Sequence, residues 1–398
     1  MKKRENGRRI LLAALCACLL LASCGNGGVS RKNTSEELEA KCKKAESFVD
    51  YAYEKKMGNT LVSPLSLDLV LAMLTEGASG ETAEELNRYL GREDFTAWAK
   101  DYLNHARNLK SGPFSKSGYQ FSYKLGNSLW VKKDFKLTDE YQKLMEKNYY
   151  ALVQKADFGG APQETANQIN EWCDKNTDGM IKEIVKPDLI SEDLAVVLLN
   201  TVYFESPWKK AWREESGTFT DFSGEKTEQL MLSSKETIYY ENEKAKAFGK
   251  PYEKGFLFIG ILPKEEGEFS LKDLDLKSLL DSKTNKKVLT RAPKLDFETD
   301  VNLIGMLKEQ GVERVFSLKE AELGRMIEDK ELYVSEVVQK CKIQLDQNGT
   351  RAAAATTAMA RMKADPMKAV YLTRPFAFLI YDEKKGEIVF AGKIVTVK

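Results

Sequence analysis

The side chains that could carry covalent chemistry are few and poorly spaced for it. The one histidine, His105, stands between Asn104 and Ala106 in a charged stretch of helical pattern. A serine or cysteine hydrolase generally needs a base such as histidine, and this setting predicts a solvated His105 instead. No Gly-x-Ser-x-Gly elbow, His-Glu-x-x-His pair, phosphate loop or dinucleotide fingerprint occurs, and paired carboxylates such as Glu84 and Glu85 read as a helix face. A carboxylate-pair hydrolase stays open with nothing in its favour. Of six cysteines, Cys16 and Cys18 lie in the leading apolar segment and Cys24 closes it. Cys42, Cys173 and Cys341 are left, odd in number and in no CxxC or metal-ligand spacing, so they admit free thiols or one bridge. No catalytic residue, metal site or cofactor is expected.

A different kind of chemistry is written into Gly349 to Lys363. Thr350, Ala352, Ala354, Thr356, Ala358 and Ala360 are small and two residues apart, while Arg351, Met359, Arg361 and Lys363 fall on the other phase. As a strand, the segment has one thin face that can slide beneath covering structure and one that stays wet. Ala352 to Ala355 would also suit a surface helix, a reading weakened by β-branched Thr356 and Thr357 and by the leading glycine.

The elements around this segment decide between the two. It is followed by Arg374-Pro375-Phe376, an apolar run from Ala377 to Tyr381, a turn at Glu383 to Gly386, and Ile388 to Val395. This tail resembles the carboxyl-terminal end of the serpins, with departures at Thr373 and Ala377. Asn59 to Ser66, the apolar run to Leu74 and Gly77 to Thr82 resemble the serpin segment that enters the central helix. On physical grounds alone, Ser63 can cap a helix beginning at Pro64, and the dense hydrophobes predict that it is buried. Asn127 to Val131 reads as a strand and Asn167 to Gly179 as a helix with a glycine stop. Leu198 to Phe204 resembles a central strand, with Trp208 just beyond it. The resemblance covers about Asn59 to Lys398. It implies an α+β serpin fold: a single large domain, residues 37–398, with three β-sheets surrounded by helices and an exposed reactive-centre loop at about 349–370.

What the resemblance implies for function is a trap that acts once. A serine protease attacks the loop, forms an acyl-enzyme and is carried off as the loop inserts into the central sheet. The hinge would be Gly349, Thr350, Ala352, Ala353, Ala354 and Ala355. Ser63, Ser66, Asn200, Gln339 and Trp208 would mark where the sheet parts. The fourteen residues from Thr350 to Lys363 would span about 46 Å as a strand. The family spacing puts the reactive bond between Lys363 and Ala364, with Arg361 and Met362 as the alternative, and either cation suits a trypsin-like pocket bearing a carboxylate. Gln339 stands where many serpins have a histidine bonded to the strand asparagine, here Asn200, and its amide can both donate and accept. Gln347 stands where a glutamate commonly pairs with a lysine, here Lys294. Alternatives are a non-inhibitory serpin acting as a binding or chaperone module, an inhibitor of elastase-like or cysteine proteases, and an unrecognised envelope enzyme.

Lys2, Lys3, Arg4, Arg8 and Arg9 precede an apolar run from Ile10 to Ala22, too short for an ordinary membrane span and flanked like an export signal. Leu21-Ala22-Ser23-Cys24 resembles the bacterial lipobox, which implies a signal at 1–23, lipidation of Cys24, a flexible tether at 24–36 and an exported lipoprotein of the cell envelope facing either periplasm or surface. Removing residues 1–23 strips five basic groups and one acid, turning the chain's +1 into about −3. No basic excess points to nucleic acid. The expected partners are serine proteases and, through Cys24, a lipid bilayer, with the protein a monomer.

Overall fold

Thr34 and Glu37 begin the helical layer with a reciprocal cap: each side chain accepts from the other's backbone N–H, and the Ser35–Lys56 helix follows. In the computed structural model, which describes residues 34–92, 94–109, 120–327, 332–350 and 367–397, this helix starts inside the expected tether 24–36. Ser63 caps the Pro64–Glu76 helix by accepting from Ser66 N at 3.2 Å. All its residues except Val70 and Glu76 are buried, as a helix apolar on every side requires. Further helices run over Gly80–Leu90, Phe95–Asn108, Asp139–Asn148 and Pro162–Asn176.

Three sheets complete the α+β architecture. One six-stranded sheet has the order Thr60–Val62, Glu387–Ile394, Phe376–Asp382, Phe256–Pro263, Ala245–Pro251, Ile238–Glu241. A four-stranded sheet runs Lys368–Tyr371, Val288–Pro293, Lys226–Glu236, Arg213–Thr220. The second six-stranded sheet, the central one here, runs Leu295–Asn302, Val338–Leu345, Gly349–Thr350, Val196–Pro207, Ser122–Lys132, Leu152–Ala156. The tail thus supplies strands to two sheets, and the expected strands at 127–131 and 198–204 lie within these elements; the helix expected over 167–179 ends at Asn176, three residues before its glycine.

The central sheet is incomplete. Thr350 pairs with Leu345 on one side and Ser206 on the other, and Gly349 pairs with Pro207. Below Thr350 no described ladder joins the long strands Val196–Pro207 and Val338–Leu345. Inward-facing Gln339, Cys341, Ile343 and Leu345 are buried, alternating with more exposed neighbours, the period of a strand with one covered face.

Cys42, Cys173 and Cys341 are free and buried, so no bridge forms among them. Burial pushes the Cys173 thiol up to about 12 and the other two higher still, which makes all three inert at neutral pH. His105 departs from the solvated side chain expected of it: its Nε2 lies 2.9 Å from Oδ2 of buried Asp382, which also accepts from Tyr102 Oη at 3.2 Å. The charged sequence around it concealed a long-range partner 277 residues away.

Candidate functional site

The upper end of the central sheet is built around a tight turn between Leu345 and Thr350. Asp346 Oδ1 accepts from Asn348 N at 2.8 Å and Gly349 N at 3.2 Å, and Asp346 N donates to Gly349 O at 2.9 Å. These bonds satisfy the turn while it is buried. Trp208 then clasps it: the backbone N–H donates to Asn348 O at 3.0 Å, and the indole Nε1 donates to Asp346 O at 2.9 Å. Trp212 N donates to Gln347 O at 2.8 Å.

Trp208 stacks on Tyr252 with centroids 4.0 Å apart and planes at 15°, and the Tyr252 hydroxyl bonds to Thr350 Oγ1 at 2.7 Å inside the core. Thr350 is only 2% exposed. Its hydroxyl is therefore reached from Trp208 through one phenol ring. Behind the two tryptophans, Lys250 Nζ sits 4.6 Å from the Trp212 ring and 2.7 Å from Glu236 Oε1. Desolvation lowers the pKa of Lys250, opposed by Glu236, and the ring face adds a favourable quadrupole. Tyr252, Lys250 and Glu236 were not singled out in the sequence, where nothing local marks them.

Lower in the sheet, the facing edges of Val196–Pro207 and Val338–Leu345 form the lips of a cleft over the Pro64–Glu76 helix. A cavity of about 100 Å³ lies there, lined by Leu67, Leu71, Ile190, Leu194 and Val197 along with Ser66, Asn200 and Gln339. Ser63 Oγ donates to Val389 O at 2.7 Å, tying the helix start to another sheet. Gln339 faces Ser63, not Asn200: its Oε1 accepts from Ser63 N at 2.7 Å and its Nε2 donates to Ser63 O at 2.9 Å. The expected network from Gln339 to Asn200 is not formed. Asn200 Nδ2 donates instead to Asn127 Oδ1 at 2.7 Å, Asn127 Nδ2 donates to Tyr149 O at 2.7 Å, and Asn200 Oδ1 is buried without a partner. The two residues belong to strands that do not pair, so each finds its bonds on its own side of the cleft.

Lys294, lacking a glutamate at Gln347, pairs with Glu214, while Gln347 Oε1 is buried and unpartnered. The proposed reactive-bond residues Lys363 and Ala364, their alternatives Arg361 and Met362, hinge residues Ala352 to Ala355, and Cys24 lie outside the described residues. Of the expected hinge, Gly349 and Thr350 are the part described, joined to both lips. Among the described residues no cluster of three metal-ligating side chains occurs and no helix is long and apolar enough to cross a membrane. What the geometry offers is strand addition. The facing edges share no ladder below Thr350, and an intervening strand would give both hydrogen-bonding partners.

Comparison with known proteins points the same way. The family model for Serpin (serine protease inhibitor) matches residues 45–397. An uncharacterized serpin-like protein of Thermococcus kodakarensis is 32% identical over 370 residues, covering 88% of this chain and 84% of the relative. A protein of Cyanea capillata described as a serine protease inhibitor is 30% identical, covering 84% and 92%. The native state of the thermophilic serpin tengpin superposes with a TM-score of 0.80 at 26% identity, covering 92% of this chain and 96% of that one.

Proposed function

The chain belongs to the serpin family, and on that footing we propose that it is a single-use inhibitor of trypsin-like serine proteases. The observation that carries this reading is the position of Gly349–Thr350: the first small residues of the segment lie between two strands that share no other described ladder with each other. The residues after Thr350 continue the small phase as Ala352, Ala354, Thr356, Ala358 and Ala360, with no bulky or charged group on that phase before Met362. Such a segment can extend the two-residue strand down the cleft.

The chemistry balances without a catalytic group from this chain. The protease's serine Oγ attacks the carbonyl carbon of Lys363, the bond to Ala364 breaks, and the Ala364 amine leaves protonated by the protease's own base. The acyl ester then links protease and loop. Hydrolysis would release both, so trapping depends on insertion being faster than deacylation. The native state is held behind a kinetic barrier, and loop cleavage lets new ladder bonds form. A cation at Lys363, or at Arg361 if the bond to Met362 is cut, suits a carboxylate-bearing specificity pocket. In the same reading, Cys24 is lipidated and tethers a monomer to the cell envelope.

The test is incubation with a panel of serine proteases followed by denaturing electrophoresis. Trypsin-like members should yield a covalent complex together with a small carboxyl-terminal fragment. Loop cleavage with no denaturant-stable complex across the panel would favour a non-inhibitory binding module.

A further inference from the structure

The four-stranded sheet carries a row of cationic and aromatic side chains on one face. Strand register places Arg213 opposite Ser233, Ser233 opposite Arg291 and Arg291 opposite Tyr371, with Lys235 on the same face one step along. Arg213, Lys235 and Tyr371 are exposed. Lys209 and Lys210, also exposed, precede Arg213 in the bend after Trp208.

The neighbouring carboxylates are already used. Glu215 accepts from Arg291 Nε at 2.6 Å, and Glu214 pairs with Lys294. Among the described residues, Lys209, Lys210, Arg213 and Lys235 enter no ion pair. Four unneutralised cations in a chain whose mature charge is about −3 make a local field opposed in sign to the whole. Both anchors of the loop frame this face. Its amino end leaves at Thr350, opposite Ser206 on the strand that leads to Trp208 and Lys209; its carboxyl end re-enters as Lys368–Tyr371, the edge strand of this same sheet.

We infer that this face, centred on Arg213 and Lys235, is a second contact surface for the attacking protease, and that it selects proteases whose surface around the active site is acidic. The inference rests on the proposed inhibitory reading and names its partner more narrowly. A protease gripping the loop holds a segment tethered at both anchors, and the row between them is a surface placed to meet it. The exposed Tyr371 ring, with Arg291 5.2 Å from its centroid, supplies an amphipathic contact of a type common at protein interfaces. Cations of this kind act mainly on association rate, and their effect is screened by salt.

The experiment compares the wild-type chain with Arg213→Glu/Lys235→Glu against two trypsin-like proteases, one acidic and one basic around its active site. Rates of covalent complex formation are measured at about 0.03 and 0.3 M ionic strength. Binding affinity for each protease with its nucleophilic serine changed to alanine is measured in parallel. Both changes are at exposed positions, and an unchanged thermal melt verifies the fold. The expected result is about a tenfold loss of rate with the acidic protease at low salt, a flattened salt dependence, and a gain with the basic one. Complex formation with unchanged rates, salt dependence and affinities overturns the contact surface and leaves the trap standing. Absence of covalent complex, with weakened binding of the inactive acidic protease by the variant, overturns the trap and retains the surface. Salt-sensitive binding of dextran sulfate, with protease rates insensitive to the charge reversal, assigns the face to a polysaccharide and overturns the proposal.

Discussion

Gln339 and Ser63 hold each other through both ends of one amide, with Ser63 N donating to Oε1 at 2.7 Å and Nε2 donating to Ser63 O at 2.9 Å. One side chain thereby fastens a lip of the cleft to the residue that caps the central helix. Gln339→Ala would leave the Ser63 N–H and carbonyl buried without these partners, at a cost of about 1–3 kcal/mol. The thermal midpoint should fall. Gln339→Glu keeps the shape but loses the donor, so it should be destabilised at neutral pH and partly recover as acid restores a carboxyl proton. Equal melting of both variants and wild type would remove this role.

Thr350 should separate a trap from a substrate. Its hydroxyl is bonded to Tyr252 and its side chain is covered, so Thr350→Arg places a charge where an unpaired ion costs several kcal/mol. Insertion should lag behind deacylation. Denaturing gels and active-site titration should show a cut loop and free protease in place of covalent complex, whereas Thr350→Ser should still trap.

Specificity should follow Lys363. Mass measurement of the fragment released by a trypsin-like protease should locate the cut before Ala364, and Lys363→Ala should slow inhibition at least tenfold, about 1.4 kcal/mol of transition-state binding. A fragment beginning at Met362, with full complex formation, moves the site to Arg361.

Acid should loosen the corner near the loop's re-entry. Glu241 accepts from Tyr239 Oη at 2.7 Å and pairs with Lys368 and Lys264, which hold its pKa at about 2 in place of the ordinary 4.5. A carboxyl depressed in the folded state binds fewer protons there than when unfolded. Its contribution is therefore complete above about 4.5 and lost as pH falls towards about 2. Tyr239→Phe should raise the Glu241 midpoint, read by NMR titration.

Cys24→Ala should abolish lipid labelling. Wild-type protein recovered unlabelled, with an amino terminus elsewhere, would remove the anchor.

Much of the fold was legible because its signals are local. Ser63 and Pro64 announce a helix start, and the hydrophobes after them require burial. The ordered tail from Arg374 to Val395 identified the family, and with it the three-sheet architecture. Partnerships across hundreds of residues were not legible. His105 meets Asp382, Gln339 turns to Ser63 in place of Asn200, and Lys294 finds Glu214 when Gln347 offers no carboxylate. Thr350 stood out in the sequence as the first small residue of its phase, but its bond to Tyr252 beneath Trp208 depends on two strands and a turn arriving together. Periodicity encodes which face of an element is covered. What covers it is decided by tertiary packing, where each buried polar group takes the nearest partner that the assembled chain provides.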